Sequence, residues 1–304
     1  MLYYTPQNIY GDFMQKLTHE QIGILWITSA SIAYGMMPIW SVFVQDSGIS
    51  TEYLLLFRFI CTALLLFSWS IYKKISLKLP MPYLFKFFFL GGVLYIVQSF
   101  AYLDSLRFIP ASLSVLLYHI YPAIVALIAI IFFKDKITPK MLFCLITSFI
   151  GLVVILQPSS YLALNFYGIF LSLVGALFYG LYVIFSKNLA QKFSSIVCSF
   201  YVCLFASLTI LCYIVIDLPN LQNIKANGIL ALLGLTFAST LFPMIAYFLG
   251  MSKIGVTKTA ILGMIEPLVG VLLSLWILGE SLTLIQCLGA CLIFFGSILL
   301  FIKH

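Results

Sequence analysis

Residues 246–283, "AYFLGMSKIGVTKTAILGMIEPLVGVLLSLWILGESLT", repeat in outline residues 101–138, "AYLDSLRFIPASLSVLLYHIYPAIVALIAIIFFKDKIT", at a shift of 145 positions. Pro122 falls on Pro267, Asp135 on Glu280 and Thr138 on Thr283. The same shift, without a gap, sets Gly151 on Gly296, Gly23 on Gly168, Tyr34 on Tyr179, Gly35 on Gly180 and Ser41 on Ser186. Matches among Leu, Ile and Val are cheap in apolar sequence, so the weight rests on Gly, Pro and Tyr. One offset serving most of the chain marks a duplicated unit.

Composition says where such a unit lives. Of 304 residues, 63% are hydrophobic and 8% charged, against about 25% charged in ordinary globular domains. No soluble fold of this length can hide that much apolar surface. Breaks at Pro, Gly, Asn and charge clusters leave ten apolar runs, at roughly 22–44, 51–72, 83–103, 110–132, 137–156, 165–187, 194–216, 227–250, 256–277 and 282–302. Each is close to the roughly 20 residues that cross a bilayer as a helix. The expected fold is an all-α membrane protein of ten transmembrane helices. It has an interfacial N-terminal segment (1–21), a first five-helix unit (22–156) and a second (165–302). All seven cysteines lie inside apolar runs without a CxxC pair, so they read as small core residues, with no disulfide or metal implied.

Lysine and arginine orient the spans. Thirteen of them fall in the even-numbered connections and the two tails, and only Arg107 and Lys225 in the odd-numbered ones. Both termini are therefore expected in the cytoplasm, and the net charge of +7 is a loop effect rather than a nucleic-acid surface. Five helices per unit is an odd number, so the second unit must be inverted relative to the first. Inverted repeats that meet near the midplane are a recurring plan for secondary transporters.

Three stretches carry a likeness to a known family. They are "LLLFRFICTALLL" around Arg58, the unit ends "YPAIVALIAIIFFKDKIT" and "EPLVGVLLSLWILGESLT", and the fifth-helix glycines Gly151 and Gly296. On these the chain resembles the drug/metabolite transporter superfamily, in particular its ten-helix EamA-type branch. The first unit departs from the family pattern, with Lys-Asp-Lys where Gly-Glu-Arg is usual; the second keeps Gly279–Glu280. The resemblance implies a central cavity lined by helices 1, 3, 4, 6, 8 and 9, with helices 5 and 10 to the side.

Polar groups inside the spans are the candidates for a site. A charge at mid-helix costs roughly 2.5–3.5 kcal/mol on insertion scales, so it faces a cavity or a partner. Glu266 and His119 both lie at mid-helix and are expected to point to the central space. The bland alternatives are a protonated carboxyl on a neighbouring backbone and a neutral ring satisfied in the core. Pro122 and Pro267 cannot donate to the carbonyls of Tyr118 and Gly263, so both helices should kink there. Tyr95, Gln98 and Tyr102 form a stripe at helical spacing, Tyr179, Tyr182 and Ser186 another, and Ser31, Tyr34 and Pro38 a third. Each stripe could be packing alone. On three cavity helices they suggest an aromatic, hydrogen-bonding pocket for a small, partly polar metabolite, with Tyr118 beside them. Ser172, Ala176 and Gly180 make a ridge for close helix contact. Arg58 could snorkel outward, pair with Glu52 or Asp104, gate the outer side, or clamp an anionic group.

Other classes fit less well. "HEQIG" begins like a zinc-protease helix, but Gly23 stands where the second histidine is needed. No phosphate-binding loop or nucleophile elbow is present, and single intramembrane charges do not make the rings a channel uses. A lipid flippase would need a groove open sideways to the bilayer. The expectation is therefore a non-enzymatic inner-membrane secondary transporter without cofactor or metal. Its partners would be a small-molecule substrate, the lipid bilayer and a coupling proton, with a homodimer allowed. Export of an amino acid or similar compound leads by family likeness, and uptake of a nucleoside-like metabolite is the alternative.

Overall fold

The computed structural model describes residues 18–121, 124, 128, 139–155, 165–216, 226–263 and 265–301. Its described elements are all helical: α1 (His19–Gly35), α2 (Met37–Asp46), α3 (Thr51–Tyr72), α4 (Met81–Phe87), a π-helical turn (Phe88–Tyr95), α5 (Ile96–Ser105), α6 (Ala111–Tyr118) and α7 (Pro139–Ile155). The second half follows with α8 (Phe166–Lys192), α9 (Ser195–Ile216), α10 (Ala226–Thr236), a second π-helical turn (Phe237–Leu241), α11 (Phe242–Gly263), α12 (Ile265–Ile277) and α13 (Leu284–Phe301). Among the described residues, six helical stretches are long and apolar enough to cross a membrane: 19–46, 51–72, 81–105, 166–192, 195–215 and 227–254.

Local chemistry sets the ends. Thr18 and Gln21 close a capping box at the start of α1, and the Asn165 side chain accepts from the amides of Tyr167 and Gly168 at the start of α8. Pro38 enters α2 in its first turn, where no donor is missed. Gly48 and Gly279 take positive φ, 90° and 67°, where chain reversals need the left-handed region.

Polarity is inside out relative to a soluble protein. Trp276, Leu284 and Phe166 are more than 80% exposed, while Arg58, Gln98, Asp104, His119 and a set of serines and threonines are buried. That arrangement suits a bundle whose solvent is lipid.

Packing follows the duplication. A Cβ added at Gly23 would meet Lys253 and Ile254; one added at Gly168 would meet Phe108 and Ile109, the same positions less 145. Likewise α1 packs on α11 as α8 packs on α5, α3 on α9 and α7 on α13 are each self-paired across the halves, and α6 packs on α12. The two π-helical turns overlap under the same shift, each inside its unit's third span. Following the chain from α1 to α4 puts the start of α4 at the same end of the bundle as the start of α1. Tyr83 at that start bonds Lys192 at the end of α8. The equivalent helices α1 and α8 thus begin at opposite ends of the bundle.

The structure corrects two boundaries. A connection was expected between 250 and 256, but α11 runs through it. The first unit turns at the corresponding place because Pro110 offers no amide to a helix, whereas Gly255 stands there in the second. The first-unit span expected over 110–132 is not one unbroken helix: α6 ends at Tyr118, and the chain turns at His119 and Ile120. Pro122 lies outside the described residues. Pro267 is in the first turn of α12, where a missing amide is tolerated.

Candidate functional site

A narrow cavity sits where the two halves meet. Its wall takes Tyr34 and Met37 from α1 and α2, Arg58 from α3, Tyr95, Gln98, Ser99 and Tyr102 from the third span, and Tyr118 from α6. The second half contributes Tyr179, Tyr182, Met244, Tyr247, Phe248 and Glu266. The repeat relates these residues in pairs: Tyr34 with Tyr179, Met37 with Tyr182, Ser99 with Met244, Tyr102 with Tyr247. The other six lining residues have no counterpart on the wall; among them are the two charges, Arg58 corresponding to Cys203 and Glu266 to Tyr121.

Close backbone approach positions Glu266. A Cβ at Gly35 would come within 2.7 Å of the Glu266 carbonyl oxygen, and one at Gly270 within 3.2 Å of Val115. The bare glycines let α12 lie against both α1 and α6, which brings the carboxylate to the cavity beside Tyr34. Glu266 Oε1 is 3.9 Å from Nε2 of His119. His119 Nδ1 lies 2.8 Å from the Val115 carbonyl, which can only accept, so Nδ1 carries the hydrogen. Nε2 is then the nitrogen that faces Glu266. His119 stands behind the carboxylate, not on the cavity wall.

The tyrosines form a connected cage. Tyr102 and Tyr118 stack with centroids 4.3 Å apart, Tyr95 and Tyr182 are at 4.9 Å, and Tyr121 meets Tyr179 edge-on at 4.7 Å. Tyr118 donates to Gln98 Oε1 at 2.7 Å, and Gln98 Nε2 donates to Ser99 Oγ at 2.6 Å. This chain fixes the amide and aims Tyr118 across the gap between halves.

Arg58 is 1% exposed and stands over the Phe59 ring at 4.5 Å. Its NH1 reaches Met37 Sδ at 3.4 Å, and its buried Nε has no partner. Pairing with Glu52 or Asp104 does not occur: Asp104 accepts from Thr51 at 2.9 Å and pairs with Arg107 at 3.3 Å. Nor does the side chain snorkel outward, since it lines the cavity.

Of the residues singled out from the sequence, Tyr34, Tyr95, Gln98, Tyr102, Tyr118, Tyr179, Tyr182 and Glu266 are brought together on one wall. Ser31, Ser186 and Pro38 are buried elsewhere in the packing. Ser172 hydrogen-bonds Ser114 at 3.1 Å on the ridge against α6. Met37, Ser99, Met244, Tyr247 and Phe248 went unnoticed. The signal for Tyr247 and Met244 was present, since the repeat carries Tyr102 and Ser99 onto them.

Comparison with known proteins agrees with this architecture. The model of the EamA-like transporter family matches residues 21–157 and again 166–302. An uncharacterized transporter of Archaeoglobus fulgidus is 28% identical over 66% of this chain and 70% of its own length. One from Synechocystis sp. is 28% identical over 77% of this chain and 71% of its own. Others align over less than two thirds of their own length, such as one from Clostridium kluyveri at 28% identity over 55% of each chain. A solved crystal structure superposes with a TM-score of 0.64 over 91% of this chain and 95% of its own, at 17% identity, a likeness of fold.

Proposed function

The chain belongs to the EamA-like transporter family, and from that premise we propose that it is a secondary transporter of a small metabolite working by alternating access. The observation that carries the reading is the tyrosine-walled cavity on the repeat axis, with Arg58 and Glu266 facing it. Two inverted five-helix halves, ten spans in all, rock about this cavity and expose it to either side in turn. Both chain ends lie in the cytoplasm, as the lysine bias indicates, and the bilayer is the cell's inner membrane. A homodimer is compatible with this arrangement. The cargo is an amino acid or similar compound, moved outward.

Energy comes from a solute or ion gradient. His119 and Glu266 together hold one exchangeable proton: a neutral imidazole with a neutral carboxyl, or an imidazolium with a carboxylate, each leaving the pair uncharged. Loss of that proton puts net charge at mid-membrane, where charge is costly, so proton occupancy and cavity opening are coupled.

Reconstitution into vesicles with counterflow of pooled labelled metabolites tests the function. Saturable exchange of a solute in either direction supports it, and the preferred loading side separates export from uptake of, for example, a nucleoside. One observation favours a second reading. An apolar groove lined by Ile96, Val97, Phe100, Leu171, Ile210 and Tyr213 lies along the third, sixth and seventh spans and suits an acyl chain. Translocation of a fluorescent lipid without solute exchange would replace the metabolite carrier by a flippase.

A further inference from the structure

We propose that Arg58 is the anion anchor of the cavity and that, with Glu266 as opposite pole, it selects zwitterions bearing a carboxylate and an ammonium. This deepens the transporter reading and rests on it.

A guanidinium offers five N–H donors in a planar fork. In Arg58, NH1 reaches a thioether sulfur at 3.4 Å, a weak acceptor, one face is taken by Phe59, the neutral Tyr95 hydroxyl is a neighbour, and Nε–H is buried with no acceptor. Among the described residues no carboxylate lies within ion-pair distance of it. A buried cation with no carboxylate partner in a membrane bundle is expensive, and Arg58 lines a cavity rather than packed apolar side chains alone. A carboxylate can take a guanidinium edge side-on in two parallel bonds, the arrangement in which arginine surpasses lysine.

A simple anion would satisfy Arg58 but would share the cavity with Glu266. A simple cation would reverse the problem. A ligand with both charges pairs each pole once the His119–Glu266 pair has released its proton, and the tyrosine faces between them attract the ammonium. Both poles lack a charged counterpart in the other half, with Cys203 and Tyr121 at the corresponding positions. The cavity thereby has a charge direction, as a ligand with unlike ends requires. The narrow cavity limits that ligand to a small one.

The test uses the full-length protein in vesicles and in detergent. Counterflow with pooled proteinogenic L-amino acids identifies the best exchanged member. That amino acid is then compared with its carboxamide and its N-acetyl derivative by competition and thermal stabilisation, in wild type and in R58Q, R58K and E266Q. Wild type should bind the amino acid on the order of ten-fold or more above the carboxamide, as expected for a charge-assisted pair. R58Q should weaken the amino acid far more than the carboxamide, so that the gap between them closes, and R58K should recover only part. E266Q should act in the same way on the N-acetyl comparison. Equal preference for acid and amide in wild type, or discrimination intact in R58Q, overturns the proposal. If R58Q does not yield monodisperse protein, the wild-type comparison decides alone. If a neutral solute pool exchanges and the amino-acid pool does not, the anchor fails and the transporter reading stands. If no solute pool exchanges, the transporter reading fails and this inference with it.

Discussion

At the scale of single residues, the site is a set of polar groups whose partners are each other or a ligand. Glu266 and His119 face one another at 3.9 Å. Glu266→Gln removes the acid from that pair, so the pH dependence of transport in proteoliposomes should flatten; an unchanged rate and profile would exclude the coupling role. Tyr118 is the cavity residue with the best-defined hydrogen bond, to Gln98 at 2.7 Å. Tyr118→Phe leaves a buried amide oxygen unpaired and should cost about 1 kcal/mol, read as a lowered Tm of the purified protein. The ring stack with Tyr102 survives that change, so ligand-free folding should persist.

At the scale of elements, two devices hold the site together, and neither is a stripe of apolar residues. Gly279, in the left-handed region after α12, turns the chain so that Glu280 reaches across to α6. Its two carboxylate oxygens accept from the amides of Ala111 and Ser112 at 2.7 and 2.9 Å. These are amides that a helix starting after Pro110 cannot satisfy itself, and the negative charge suits that end of the helix. Glu280→Ala should destabilise by about 1 kcal/mol, the range of a lost helix cap, with Glu280→Gln losing less. The second device is the contact of α1 with α12 at Gly35. Gly35→Val forces side-chain atoms into the Glu266 backbone and should cost about 1–3 kcal/mol as overpacking, with ligand binding lost before the fold is. The repeat made both places visible in sequence, as Asp135 on Glu280 and Gly35 on Gly180. It did not say what either touches, because a carboxylate seeking a donor and a glycine admitting a neighbour are both completed by a distant segment.

At the scale of the whole molecule, a cavity lies where the two halves meet, and the lysine bias of the connections predicts that both chain ends face the cytoplasm. Impermeant thiol labelling of single cysteines placed at Lys16 and Lys303, in an otherwise cysteine-free chain, should fail in intact cells and succeed after permeabilisation. Labelling of one position and not the other would break the inverted-repeat topology. The duplication, the helical class and the membrane setting are legible in the linear chain, because they are matters of period, composition and the cost of placing charge in hydrocarbon, all properties of near neighbours. Six of the eight cavity residues anticipated share that origin, because helical periodicity places side chains on one face, and Glu266 was marked by the cost of a charge at mid-helix. The state of Arg58 did not follow from local pattern. Its sequence neighbourhood offered Glu52 and Asp104 as partners, and the fold gave Asp104 to Thr51 and Arg107 instead. Which side of a helix meets a cavity, and which of several carboxylates comes near a cation, depends on how α1, α6 and α12 cross. Those crossings are set by glycine contacts between segments more than a hundred residues apart.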